Sequence, residues 1–263
     1  MACARLPEVQ ANDNRKPAGT LNGDTLVLRL VVQRARWHPE AEDGVHVDTE
    51  VFGEEGGPPQ VPAPLIRVKV GTIIKASIRN ATADSTLWIH GFRPHPAEQV
   101  DDSVGVTPGE TKTVTFAAGA PGTYVYGGNL GIFGDSRERE QLLGAFIVDS
   151  SGAVPDDRVF VINVWGEDVD STFYRNVLAI NGKSYPYTEP MSFTTGDTVR
   201  WRWVNGSFRE HPMHLHGFYF TVNSRGTFRA DTIYDASQRR SVVTEAMTPV
   251  STFTMTWVPD RDG

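Results

Sequence analysis

The sequence predicts an all-β protein made of two tandem β-sandwiches, and three observations carry that prediction. Short runs rich in Val, Ile, Thr, Trp and Phe are broken by 25 Gly and 17 Pro, while helix signals are few. A length of 263 residues at 39% hydrophobic content suits two cores of about 120 to 130 residues each. The second half also repeats the first at countable offsets. Gly71 to Asn80 and Gly196 to Asn205 each span nine positions; His90-Gly91-Phe92 follows the first asparagine by ten, and His216-Gly217-Phe218 follows the second by eleven. Pro108 precedes Phe116 by eight and Gly122 by fourteen, as Pro249 precedes Trp257 by eight and Gly263 by fourteen.

Taken in order, residues 1–22 are polar and aperiodic and read as a flexible leader. The first domain, 23–150, begins with the strand Leu26–Val32, followed by a Gly/Pro-rich acidic stretch from Pro39 to Pro59 read as a hairpin. Strands at Pro64–Val68 and Thr72–Asn80 turn at Gly71, and Leu87–Phe92, Thr111–Phe116, Gly122–Tyr126 and Leu142–Val148 complete about seven strands, enough for one sandwich. Asp149–Asp157 is the linker, and Val159–Trp165 opens the second domain, 151–263. The first copy runs on from Gly122 through two strands to Val148, some twenty-six residues, whereas the second stops at Gly263. The second sandwich is therefore expected to lack its last strands, leaving an open edge and an uncovered apolar face.

A net charge of −7 and a pI near 5.5 argue against a nucleic-acid partner, because no basic stripe is available to neutralise phosphates. No apolar stretch approaches the roughly 18 residues of a membrane span, and the amino terminus lacks the apolar region of a signal peptide. Cys3 is the one cysteine, so an internal disulfide is excluded.

The chemistry concentrates in Glu210-His211-Pro212-Met213-His214-Leu215-His216-Gly217, where three of seven histidines fall within six positions. On a strand, His214 and His216 project from one face, roughly 7 Å apart at the base, close enough to serve one metal or two adjacent ones. Leu215 then points into a core. His211 precedes proline, is pushed towards extended geometry, and could serve a separate metal.

This stretch resembles the third copper-binding motif of multicopper oxidases, the laccase-like enzymes built from Greek-key cupredoxin (plastocyanin-like) domains. Val61–Val68, Pro108-Gly109-Glu110, Gly122-Thr123-Tyr124-Val125-Tyr126 and Gly144–Val148 occupy the family's usual order. The resemblance implies copper as cofactor, His211 on a type 1 copper, and His214 and His216 in a cluster of type 2 and type 3 coppers between domains. It implies an oxidoreductase that takes single electrons from a small-molecule or metal-ion donor and passes them to dioxygen, in a periplasmic or secreted setting. Trimers are known among two-domain relatives, and a homotrimer would let one subunit complete a cluster for the next.

Departures from the pattern are as informative. The first motif survives only as Trp88-Ile89-His90-Gly91, leaving His90 as a fourth candidate ligand or an ordinary hydrogen-bonded histidine. The second is replaced by Gly127-Gly128-Asn129, and the His-Cys-His motif that supplies the type 1 thiolate would fall beyond Gly263. His95 reads as a surface-loop residue, His38 and His46 as solvated. Asp102, beside Asp101, sits where the family carries a proton-delivering carboxylate. Two alternatives follow: an inactive or single-copper cupredoxin scaffold or electron carrier, and a relative of copper nitrite reductase.

Overall fold

The computed structural model describes residues 5–97, 103–131, 138–172 and 174–262. The first strands are β1 (Gln10–Ala11), β2 (Thr20–Asn22), β3 (Thr25–Trp37), β4 (Val47–Glu54), β5 (Pro59–Val61), β6 (Ile66–Lys69) and β7 (Ile73–Asn80). Next come β8 (Leu87–His90), β9 (Val104–Val106), β10 (Thr111–Ala117), β11 (Gly122–Asn129) and β12 (Leu143–Asp149). The second half holds β13 (Arg158–Asp168), β14 (Tyr174–Ile180), β15 (Val199–Asn205), β16 (His211–His214), β17 (Phe220–Gly226), β18 (Asp231–Ile233), β19 (Arg240–Val242), β20 (Thr244–Met247) and β21 (Thr252–Trp257).

In the first half a sheet of order β1-β5-β4-β3-β7-β10, with β2 paired to β3, faces a second sheet of order β6-β12-β11-β8-β9. Alternation along β3 and β7 sends Leu28, Leu30, Val32, Ile74 and Ile78 inward to meet Ile66, Ile89, Tyr126 and Phe146 from the facing sheet. The turn at Gly71 therefore joins strands of different sheets rather than a hairpin.

Residues 5–22 are not a loose leader. β1 pairs in parallel with β5, and β2 forms a hairpin on β3. The polar residues that hid this order from a periodicity argument are spent on hydrogen bonds: Asn12 Nδ2 donates to Ala63 O at 3.1 Å, and Asn14 Nδ2 donates to Asn181 Oδ1 at 2.9 Å.

The repeat seen in the sequence reappears as matching strand pairings. β13 runs parallel to β15 and β15 antiparallel to β21, just as β3 runs parallel to β7 and β7 antiparallel to β10. The pair β16-β20 corresponds to β8-β9, but β8 is flanked on its other side by β11, whereas among the described residues β16 pairs with β20 alone. The second half adds β17, β18 and β19, with β17 joined to β21. Its core is aromatic, with Phe160, Trp201, Trp203, Phe220, Phe253 and Trp257 packed together.

The halves meet through β11 and β12, which are buried along their whole length. Both faces are covered, so Leu142–Val148 reads as a continuous rather than alternating apolar run. Leu65, Val125, Ala145 and Ile147 pack on Val159, Val161, Val204 and Val250. At the edge of this contact Arg67 binds Asp149 at 2.7 Å and Asp157 at 2.6 Å, while Arg202 binds Asp157 at 2.7 Å and donates to Thr123 Oγ1 at 2.8 Å. The linker is thereby tied to both halves.

Candidate metal centre

β16 is extended because Pro212 fixes its own φ and restricts His211 before it. Its register on β20 sets His211 opposite Met247 and His214 opposite Thr244. Glu245, opposite Met213, is buried and ion-paired to Arg240 at 2.6 Å and Arg225 at 3.2 Å, which fixes β20 beneath the histidines. Alternation does the rest. Met213, Leu215 and Phe218 pack against the tryptophan core, while His214 and His216 are exposed on the other side. Gly217, at φ 80°, then turns the chain in a left-handed conformation that a side chain would strain.

The structure brings His214 and His216 together, with ring centroids 4.9 Å apart at 77°. Thr244 Oγ1 lies 2.7 Å from His214 Nδ1, which orients that ring and leaves its Nε2 edge to solvent or a ligand. His211 faces the opposite way. It is half-buried beside an open apolar hollow of about 360 Å³ lined by Ile162, Leu178, Tyr185 and Met213. Burial, and then the nearby Arg209 guanidinium, hold its pKa below the usual histidine value. Its Nε2 is 2.8 Å from Ser207 Oγ.

His90 lies elsewhere, at the register position where β8 meets Gly127 of β11. Asn129 donates from Nδ2 to Gly131 O at 2.6 Å, so the oxygen it turns to His90, 2.7 Å from Nε2, must accept the ring proton. That nitrogen is occupied by a hydrogen bond. The His90 ring also meets Phe228 of the second half edge-on at 6.3 Å. Beside it, a Cβ built on Gly127 would stand 2.2 Å from Leu142 O, so no side chain fits at that position of β11.

His95 is not on a surface loop. It is 2% exposed and stacked on Tyr124 at 4.3 Å, with its nitrogens turned to the carbonyls of Arg229 and Gly91. His38 is likewise not simply solvated, since Gly44 O and the Glu8 carboxylate engage its two nitrogens and its ring lies 5.4 Å from that of His46. Asp102, Asp101 and Cys3 lie outside the described residues. Among the described residues, no group of three or more His, Cys, Asp or Glu side chains stands close enough to share one metal ion.

Sequence reasoning missed the roles of the imidazoles' partners, Ser207, Thr244 and Asn129, and of Asn205, which holds Ser207. A signal for two of them was available, because Asn80-Ala81-Thr82 and Asn205-Gly206-Ser207 repeat an asparagine with a hydroxyl two residues on. Thr244 is set only by pairing across thirty residues.

Two models described as multicopper oxidase match the chain, one over residues 48–152 and the other over 154–263. A probable nitrite reductase-hydroxylamine oxidoreductase fusion protein of Kuenenia stuttgartiensis is 28% identical over 221 residues, covering 75% of this chain and 25% of that protein. An L-ascorbate oxidase of Brassica rapa subsp. pekinensis is 34% identical over 97 residues, covering 34% of this chain and 16% of that one. The chain thus spans a quarter or less of these curated relatives. The crystal structure of a blue copper oxidase from Nitrosomonas europaea superposes with a TM-score of 0.70 at 22% identity, covering 91% of this chain and 77% of that one. That likeness is one of fold, and it makes the paired sheets cupredoxin-like. With the two models together accounting for residues 48–152 and 154–263, the chain belongs to the multicopper oxidase family.

Proposed function

We propose that this chain is the copper-holding part of an oxidoreductase, with His214 and His216 as one ligand pair and His211 as a ligand to a separate copper. The observation that carries this reading is the exposed imidazole pair at 4.9 Å, His214 at the end of β16 and His216 in the turn after it, with Leu215 between them anchored against an aromatic core. Paired imidazoles suit copper, and an oriented ring with an open edge is what a ligand requires. When bound, copper supplies one-electron chemistry, which in the complete protein couples oxidation of a small-molecule or metal-ion donor to reduction of dioxygen.

The chain's own residues have distinct tasks in that scheme. Thr244 sets the His214 ring, Leu215 anchors the strand between the two imidazoles, and Glu245 keeps β20 in register beneath them. Residues 23–150 and 151–263 act as two domains, the second carrying the ligands. A homotrimer, in which a second copy completes the set of ligands, goes with this reading. A periplasmic or secreted setting goes with this reading; no helix among the described residues is long and apolar enough to cross a membrane.

Copper titration of the metal-free chain, with light scattering to follow assembly, tests the proposal. His214→Ala/His216→Ala is expected to remove one class of sites and His211→Ala another. No copper uptake, or uptake unchanged by these substitutions, would overturn it.

Two further readings each have a specific observation behind them. The Asn129 bond to His90 favours a scaffold or electron carrier whose first half holds no metal, and copper bound at His211 alone would select it. The similarity over 75% of the chain to a probable nitrite reductase fusion favours a nitrite reductase relative, which nitrite-dependent turnover of a copper-loaded, full-length protein would select.

A further inference from the structure

We propose that Ser207 is a positioning residue for His211, holding the ring with its proton on Nε2 so that Nδ1 is the nitrogen presented to copper. The inference rests on the reading of His211 as a ligand and adds to it the side chain that holds the ring in the required tautomer.

The direction of every hydrogen bond around Ser207 is fixed by its neighbours. Asn205 donates from Nδ2 to Arg209 O at 2.7 Å and to Thr248 O at 2.9 Å, so its Oδ1 can only accept. That oxygen receives the Ser207 amide at 3.0 Å and the Ser207 hydroxyl at 2.7 Å. The serine has one proton, and it is spent on Asn205. Its Oγ, which also receives the Arg209 amide at 3.3 Å, can therefore only accept from His211 Nε2 at 2.8 Å. A neutral ring that donates from Nε2 carries its lone pair on Nδ1, the nitrogen open to a metal.

The arrangement is shielded and braced. Asn205 and Ser207 are 0% and 1% exposed, which keeps water from competing for the serine oxygen. From the first half, the buried Glu138 carboxylate accepts the Phe208 amide at 2.6 Å and Arg209 Nε at 2.8 Å, fixing the segment between Ser207 and His211.

The internal repeat separates this role from ordinary turn chemistry. Asn80 and Thr82 reproduce the same bonds, with Asn80 Oδ1 receiving the Thr82 amide at 3.0 Å and hydroxyl at 2.6 Å, and Asn80 Nδ2 donating to Ser85 O and Val106 O. Among the described residues no imidazole is hydrogen-bonded to Thr82. The asparagine-hydroxyl turn thus belongs to the fold, and the second half adds to it a histidine that uses the hydroxyl oxygen.

Ring-nitrogen NMR of the histidine-labelled, metal-free chain at neutral pH tests this directly. The expected result is a proton on His211 Nε2, protected from solvent exchange, and an unprotonated Nδ1 that copper ions then perturb. Ser207→Ala should abolish the protected ring proton and weaken copper binding at His211 about 10- to 100-fold. Ser207→Thr should retain both, and Thr82→Ala, the matched turn without an imidazole, should change neither. A wild-type ring protonated on Nδ1 would overturn the proposal even if the alanine variant fails to fold, as would a folded Ser207→Ala chain with unchanged ring signals and copper affinity. Copper leaving His211 untouched while the ring is protonated as expected would instead overturn the ligand reading, and this role with it.

Discussion

At the residue scale, two polar side chains show how a buried group's partners decide its behaviour. Asn129 is 7% exposed and caps His90, so Asn129→Ala removes the acceptor of a ring proton in a shielded place. A stability loss of about 1–3 kcal/mol is expected, read as a lower midpoint in urea, together with faster exchange of the His90 ring proton. Asp231 makes the opposite case. Burial pushes its carboxyl up from the usual value, only partly offset by bonds from the Thr123 amide and Ser224 hydroxyl and by Arg202. A carboxyl raised in the folded state contributes stability that is fully present below its unfolded pKa and is lost as pH rises through the folded value. The ionised carboxylate is therefore a cost at neutral pH. Asp231→Asn should raise the melting temperature at neutral pH and lose that advantage in acid, and thermal melts across the acid range would check it. The histidine cluster was legible in the sequence because residue type and spacing announce it. Of the groups around it, Asn205 and Ser207 left only the trace of a repeated asparagine-hydroxyl spacing, and Thr244 left none, because it acquires meaning only when strand pairing brings it to a ring.

At the element scale, β16 and β20 form a two-stranded sheet whose register depends on a buried carboxylate between two arginines that still reach solvent. Replacing Glu245 by alanine removes charge-assisted bonds from both. The expected cost is about 1–3 kcal/mol, because the partly exposed arginines regain water. More telling, the His214 and His216 ring signals should broaden as the strand loses its register, while the tryptophan core of the second half keeps its fluorescence. Strand existence was well read from alternation and β-branched runs. The short strands β1 and β2 were missed because polar residues that satisfy backbone groups look like a disordered leader. The strands β18 and β19 were missed because largely exposed strands of three residues carry too little pattern.

On the scale of the whole molecule, an apolar seam joins the halves and an ionic knot closes its edge. Arg67, Asp149 and Asp157 have side chains 9%, 8% and 8% exposed, so each charge depends on its partners rather than on water. Arg67→Met should cost about 3–5 kcal/mol by leaving two carboxylates buried without their shared guanidinium. Denaturant unfolding followed separately by fluorescence and circular dichroism should then split into two transitions if the knot couples the halves. The duplication itself was readable from offsets between glycine, asparagine and histidine-glycine positions, since these residues are set by backbone geometry and survive when side-chain chemistry drifts. How the copies pack was not readable, because the burial of both faces of β11 and β12 shows in sequence only as an unbroken apolar run.

The close approach of Gly127 to Leu142 limits how this strand could be re-engineered. An imidazole cannot be introduced at position 127 by changing one codon, since the backbone of the neighbouring strand already fills the space where a β-carbon would go. Backbone spacing at this point of β11 leaves no room for a ligand side chain. Any attempt to rebuild the site must first widen the gap between these two strands, and only then alter the side chains.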